Sequence, residues 1–299
     1  MTEVSTCVIC EGEITRLKRA LVAPFLAKRI WDRSPFCVDL VQCKVCGFMF
    51  YNPRLDAAEE GRLYTSYRSE EYQRARQDSE IWYTKAFNAE LASPSSYELR
   101  RRTLGALIRP HMGEREIRRV LDYGGDQGDL VNGLFDGAEA FVYDISGIPA
   151  AEGVTSTRDP SECRADLIIN SNVLEHVGFP RLLVRDMINA LPAGSLVFLE
   201  VPFESPFGLA RIARRATQIG IMALIRPTLA RSVVRPASLF MMHEHINYFT
   251  EQSLTTLMLS SDSDVVAAGR YFVDETASKG EMVWCLGRAK YSSVSPRRP

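Results

Sequence analysis

"VLDYGGDQGDL", residues 120–130, decides how this chain folds. A short apolar run ends in Asp122, and a glycine-rich loop follows at once. Glycines at a strand end let the backbone approach a ligand closely, and a helix after such a loop offers unpaired N–H groups. Working outward, the same texture recurs in "RRVLDYG" (118–124), "AFVYDIS" (140–146), "ADLIINS" (165–171) and "SLVFLEVP" (195–202). Each is a short apolar run closed by small or acidic residues, with helical stretches expected between them. That alternation predicts an α/β fold with a parallel sheet covered on both faces. Ligands of such sheets bind outside the strand ends, at the topological switch point. Asp144 closes the second run about 20 residues beyond Asp122, where an acid can accept hydrogen bonds from a ribose diol. Two later runs, 264–273 and 281–289, are able to pair as a closing antiparallel unit.

The cysteines form a second pattern. Five of the seven lie in the first 46 residues, and four make two pairs, Cys7 with Cys10 and Cys43 with Cys46. A C-x₂-C knuckle turns two thiolates toward one point, and two knuckles complete a tetrahedral sulfur shell that suits Zn²⁺. Four protein ligands leave no open position, so such a zinc is structural. Cys37 lacks a partner at knuckle spacing. Buried or redox-active thiols are the alternative.

The 299 residues carry 36 basic and 37 acidic side chains, 46% apolar content and 24% charged content. These are the values of an ordinary globular protein, with no global pull toward nucleic acid or membrane. No apolar run approaches the roughly 20 residues of a membrane span. The first residues lack a secretory pattern, so the expected location is the cytoplasm, with reduced thiols. The expected organisation is a zinc module over 1–53, a helical substrate-covering segment over 54–115 and a ligand-binding domain over 116–290. Residues 205–242 form a helical insertion or lid within it, and 291–299 form a disordered tail.

"VLDYGGDQGDL", "VYDIS", "ADLIINSNVLEHV" and "LVFLEVP" resemble, in order, the motifs of class I S-adenosylmethionine-dependent methyltransferases. The resemblance covers roughly residues 95–290 and implies a Rossmann-like fold with a mostly parallel seven-stranded sheet. The cysteine pairs, "NPRLDAAEEGRLYTSYRSEEY" and "HEHINYFTEQSL" are similar to a narrower group. It comprises bacterial small-molecule methyltransferases with an N-terminal zinc module, several acting on nucleotide-linked deoxysugars. The resemblance implies that Asp122 and Gly124 line the methionine moiety of S-adenosylmethionine and that Gly128 lets the helix pack. It also implies that Asp144 binds the ribose, that Asn170 and Ser171 flank the donor, and that Asp159 sits near adenine. Asp126 stands where the usual motif has its middle glycine.

Methyl transfer needs alignment and, for a weakly acidic oxygen or carbon, removal of a proton. Histidine is the side chain most easily poised for that near neutral pH. In "HEHINYF" (243–249), His245 is the candidate base, matching the Glu-His pair of the resembling group. Glu244 is expected to orient its imidazole or to bond a substrate hydroxyl, and His243 to assist. A loop whose histidines only cap helix ends is the plain alternative. His176, in "SNVLEHV", is expected to open a helix and to serve packing. Of Tyr64, Tyr67 and Tyr72, Tyr67 is the one expected to reach the acceptor. The insertion carries Arg211, Arg214, Arg215, Arg226, Arg231 and Arg235 and no acidic residue between Ser205 and Met242. Three uses suit it: a solvated face, a membrane-surface helix, or a lid whose guanidinium forks meet a diphosphate.

The sequence therefore points to a methyltransferase for a small-molecule acceptor, with phosphate on that acceptor as an option. Neither a nucleic-acid partner nor stable membrane association is favoured. A zinc-ribbon nucleic-acid methyltransferase is the first alternative. It is disfavoured by "NSNVLEHV" where base methylators carry an Asn/Asp-Pro-Pro-aromatic element, and by the near-zero net charge. A non-catalytic partner protein with a decayed donor site is the second.

Overall fold

The computed structural model describes residues 1–67, 69–79, 94–114, 116–225, 233–274 and 279–290. Arg226, Arg231 and the 291–299 tail lie outside the described residues. The strands are β1 (Ile14–Leu21), β2 (Cys37–Cys43), β3 (Met49–Asn52), β4 (Arg119–Tyr123), β5 (Glu139–Tyr143) and β6 (Val154–Ser156). They continue with β7 (Leu167–Ser171), β8 (Leu196–Pro202), β9 (Asn247–Tyr248), β10 (Ser263–Asp274) and β11 (Lys279–Ala289). The α-helices are α1 (Pro24–Trp31), α2 (Ala57–Tyr64), α3 (Glu70–Ser79), α4 (Pro94–Ile108), α5 (Pro180–Asn189), α6 (Leu209–Ile225) and α7 (Glu251–Leu259). Two compact units result, each assembled from separate stretches of chain.

One unit takes Thr84–Leu174, Pro180–Pro202 and Glu251–Pro299. Its seven-stranded sheet has the order β10-β11-β8-β7-β4-β5-β6. The pairs β4–β5, β5–β6, β4–β7 and β7–β8 are parallel. β11 runs antiparallel to both β8 and β10, the closing unit that the two late apolar runs predict. Leu167, Ile168 and Ile169 are fully buried, as residues of a central parallel strand must be. The chain leaves β4 toward β5 and β6 and later returns to β7 on the other side. The loop after β4 is therefore the switch point.

One expected helix does not form and another starts late. The stretch after β4 is a chain of turns, with Gly128 N–H donating to Gly125 O at 2.9 Å, Val131 to Gly128 at 3.2 Å and Leu134 to Val131 at 3.1 Å. Gly128 and Gly133 sit in the left-handed region (φ 79° and 74°), which stops right-handed helix from propagating. His176 likewise lies in a turn, and the helix expected there starts later at Pro180, whose fixed φ suits a first helical position.

The other unit takes Met1–Tyr83, Glu175–Phe179 and Phe203–Thr250. Its sheet, β1-β2-β3-β9, is antiparallel throughout. The last strand is supplied by the segment after His245, with Phe50 opposite Asn247 and Met49 opposite Tyr248. α2 opens with a complete capping box between Asp56 and Glu59. Phe25, Leu26, Leu40, Tyr51, Leu63, Tyr72, Met242 and Ile246 form the core of this unit. Among the described residues, no helix is long and apolar enough to cross a membrane.

Candidate active site

Cys7, Cys10, Cys43 and Cys46 converge, each offering a sulfur within 4.8 Å of the others. Cys7 and Cys46 sulfurs lie 3.7 Å apart, and those of Cys10 and Cys43 lie 3.5 Å apart. Sulfurs held about 2.3 Å from a zinc ion in a tetrahedron sit about 3.8 Å from each other, so the four fit that ion. Backbone N–H groups of Val45 and Cys46 point at the Cys43 sulfur at 3.4 and 3.5 Å, and that of Ile9 at Cys7 at 3.5 Å, as in a knuckle. Gly47 takes φ 73° in the turn after the second pair. Cys37 starts β2, at the end opposite Cys43.

At the switch point, Asp122 is buried (2% exposed) at the end of β4, and its Oδ2 has no hydrogen-bond partner among the described residues. Burial pushes its pKa up to about 7; the Arg100 charge opposes this, and Asp144 adds to it. A Cβ on Gly125 would lie 1.9 Å from the Asp122 carboxyl carbon, so any larger residue there would displace that carboxylate. Gly124 (φ 80°) likewise has no room, because a Cβ would meet Val173 at 2.8 Å. A Cβ on Gly128 would meet Val154 at 2.7 Å, so its closeness serves packing beneath the loop. Asp126 adopts the left-handed conformation (φ 58°) that the missing glycine would take, and its N–H donates to Asp144 Oδ2 at 2.9 Å. Asp144 Oδ1 accepts from Ser146 N–H at 2.7 Å. Each oxygen keeps a second lone pair.

Asn170 is fully buried; its amide donates to Tyr123 O at 2.8 Å, and its Oδ1 has no partner among the described residues. Ser171 donates to Glu200 Oε1 at 2.5 Å. Asp159 is exposed, and its carboxylate caps its own turn through Ser161 N–H at 2.9 Å. The orphaned oxygens of Asp122 and Asn170 and the cradle at Gly125 suit a polar ligand with a cationic group at this strand end.

Sequence reasoning missed a network beside these residues. Glu200, fully buried on β8, accepts from Arg100 on α4 at 2.6 Å and from Tyr271 on β10 at 2.6 Å. Arg100 also bonds Ser171 Oγ. The only signal was a glutamate inside the apolar run "LVFLEVP".

The histidines meet in the other unit. The rings of His176 and His245 lie edge to face with centroids 4.8 Å apart. His245 Nδ1–H donates to Glu204 Oε2 at 3.0 Å, since an ionised carboxylate can only accept. Nε2 is thereby left for proton transfer. Glu204, rather than the expected Glu244, orients the imidazole. Glu244 instead accepts from Tyr72 Oη at 2.6 Å and pairs with Arg76 at 2.7 Å. His176 Nδ1–H donates to Glu244 O at 3.0 Å, a bond beyond the packing role expected of it.

Burial opposes charge on both rings, with opposite outcomes. In His245 the hydrogen bond and charge of Glu204, helped by Glu175 and Glu244, override burial and raise the pKa. In His176 burial dominates, the neighbouring His245 adds to it, and the pKa falls to about 3. Burial alone would raise the Glu204 carboxyl, but His245 and Arg211 bring it down to about 2. Glu175, His176 and His245 also bring one donor atom each within 4.8 Å, a grouping that could admit a cation. The Glu204 bond and raised pKa of His245 favour a proton there instead.

Tyr67 is half-buried, its ring 5.7 Å from Tyr64 and 5.2 Å from Tyr72. Tyr64 contacts the His176 ring at 5.9 Å, and its hydroxyl is buried with no hydrogen-bond partner among the described residues. His243 is half-buried. Arg211 pairs with Glu204 at 2.7 Å, so one arginine of the insertion serves the histidine rather than solvent.

A parallel sheet with a glycine cradle and paired acids at its switch point has the ligand-binding crevice of an open α/β fold. A family model described as a methyltransferase domain matches residues 85–268, and the chain belongs to that family. No curated protein matches the sequence. Among solved structures, the chain is similar to the 1,6-didemethyltoxoflavin-N1-methyltransferase of Burkholderia thailandensis. Identity there is 14%, with 85% of this chain and 96% of that one covered at a TM-score of 0.48. It is also similar to the N-methyltransferase NodS of Bradyrhizobium japonicum, with 14% identity, 69% and 97% coverage and a TM-score of 0.40. Human N-acetylserotonin methyltransferase matches at 14% identity, 78% and 70% coverage and a TM-score of 0.38.

Proposed function

We propose that the chain transfers a methyl group to an oxygen or carbon of a nucleotide-linked sugar or related biosynthetic intermediate, with His245 as general base. The observation that carries this is the Glu204–His245 pair beside a neutral His176. A carboxylate that fixes the tautomer and leaves Nε2 open is the arrangement of a working base. When bound, S-adenosylmethionine supplies the electrophilic methyl group. Asp122, Gly124, Asp144, Asn170 and Ser171 would hold it, with Gly125 leaving room for Asp122 and Gly128 keeping the loop packed. Asp159 belongs to the same reading at the adenine end. His245 would take the acceptor's proton, with Tyr67 and Glu244 placing the acceptor. Zinc at Cys7, Cys10, Cys43 and Cys46 would be structural, which suits a cytoplasmic enzyme with reduced thiols. On this reading 1–53 is the zinc module, 54–115 covers the acceptor, 116–290 binds the donor, 205–242 is a lid and 291–299 a tail. Arg214 and Arg235, both exposed, are the described arginines of 205–242 best placed to meet phosphate.

A screen with isotopically labelled donor tests the acceptor. Nucleotide sugars should be methylated, and the matching unphosphorylated sugars should show a KM at least about tenfold higher, the loss expected for missing charge-assisted bonds. Equal KM values contradict the phosphate assignment. Transfer confined to free amines contradicts the acceptor class.

A further inference from the structure

We propose that Arg54 is a positioning residue that ties the His176 and His245 segments to the sheet of the cysteine module. The role rests on the reading of His245 as base. Arg54 follows β3 and is fully buried. Its Nε donates to Gly178 O at 2.7 Å, and its Nη1 to Tyr51 O at 2.9 Å and Ile246 O at 3.5 Å. Its Nη2 donates to Val177 O at 3.0 Å and Asn247 Oδ1 at 2.6 Å. Asn247 returns the tie by donating to Val177 O at 2.7 Å. The residues held are the immediate successors of the two histidines.

Every atom bonded to this guanidinium is a carbonyl or amide oxygen. Burying a charge without a bonded carboxylate is a poor way to gain stability. A planar fork of five N–H donors is, however, well suited to fixing three chain segments at once. Those segments are the end of β3, residues 177–178 and residues 246–247. The N–H groups of Ile246 and Asn247 also donate to Glu175 O, at 2.8 and 3.1 Å. The ring of Phe50, opposite Asn247 in the β3–β9 pairing, lies under the guanidinium at 5.0 Å. Cys43 ends β2, β2 pairs with β3, and β3 pairs with β9. A continuous hydrogen-bonded path thus runs from the cysteine knuckles to the residue two positions after His245. Arg54 extends it sideways to His176. The 4.8 Å ring contact, and with it the direction of Nε2, depends on this junction.

Histidine-labelled protein, followed by NMR across pH, tests the role, with zinc content and a thermal melt as folding checks. In the wild type, one imidazole should titrate above the ordinary value and another should stay neutral down to about 3. In Arg54→Lys these two titrations should move toward each other, and kcat should fall about 10- to 100-fold, as for a sub-ångström misplacement. Donor affinity by calorimetry should stay within about twofold. Asn247→Ala, which removes one acceptor and one donor from the same junction, should act in the same direction and decides the matter if Arg54→Lys does not fold. Unchanged histidine titrations in a folded, zinc-loaded variant overturn the proposal. Merged titrations together with a fully active His245→Ala enzyme would uphold the junction and refute the base.

Discussion

His176 and His245 touch edge to face at 4.8 Å and yet prefer opposite protonation states. Glu204 bonds one ring and a backbone carbonyl bonds the other, so the pair carries at most one positive charge near neutral pH. Two adjacent cationic rings would repel, which reinforces the division.

The first consequence is a pH profile. The carboxylates facing His245 are Glu204, Glu175 and Glu244, whereas His176 is kept neutral by burial, by His245 and by the Arg76 guanidinium. A base must be neutral to act, so kcat should fall as pH drops through the His245 pKa. Because that pKa is raised, the fall should begin above the ordinary imidazole range of about 6.5. Glu204→Gln removes the anion that raises it, and the midpoint of the rate profile should shift to lower pH. A midpoint unmoved by Glu204→Gln would detach this pair from the titration.

Metal content follows from the sulfur geometry. Purified protein under reducing conditions should hold about one zinc per chain, as one sulfur tetrahedron requires. Cys43→Ser should lose it and lower the melting temperature of the cysteine module, because binding free energy of a structural zinc is folding free energy. Wild-type protein with no bound metal would contradict the assignment.

Asp126 illustrates how a departure from a motif can preserve its geometry. The residue keeps the left-handed backbone, and its contact with Asp144 uses the N–H rather than the side chain. Asp126→Gly should therefore leave donor affinity within about twofold. Asp126→Val should destabilise by roughly 1–2 kcal/mol, the penalty of a left-handed conformation for a side-chain-bearing residue. Asp144→Ala should weaken donor binding by roughly 1–3 kcal/mol through lost charge-assisted bonds. Calorimetry and a thermal melt check all three, and an Asp126→Gly protein that no longer binds donor would show the aspartate side chain itself is required.

Much of this was legible because it is local. Strand ends at Asp122 and Asp144, the cysteine knuckles and the closing β10–β11 pair announce themselves within windows of ten residues. The helices expected after β4 and at His176 failed where left-handed glycines and Pro180 outweighed apolar spacing. What stayed hidden depends on contacts between distant stretches. Glu204, which bonds the imidazole, lies far ahead of His245 in sequence, whereas the adjacent Glu244 bonds Tyr72. Arg54 gave no local sign, because its acceptors come from residues 177–178 and 246–247. No periodicity around His176 shows that a segment of five residues, Glu175–Phe179, joins the unit of the cysteine module.

The most direct test of the central claim is single-turnover methyl transfer by His245→Ala, compared with the wild type at saturating donor and acceptor. Loss of a positioned base should lower the rate about 10²- to 10⁴-fold and flatten its pH dependence. Donor affinity should hardly change, because Asp122 in β4 and Asp144 just after β5 belong to a sheet that this substitution leaves intact. A His245→Ala enzyme with near-normal rate and the wild-type pH profile would contradict the account.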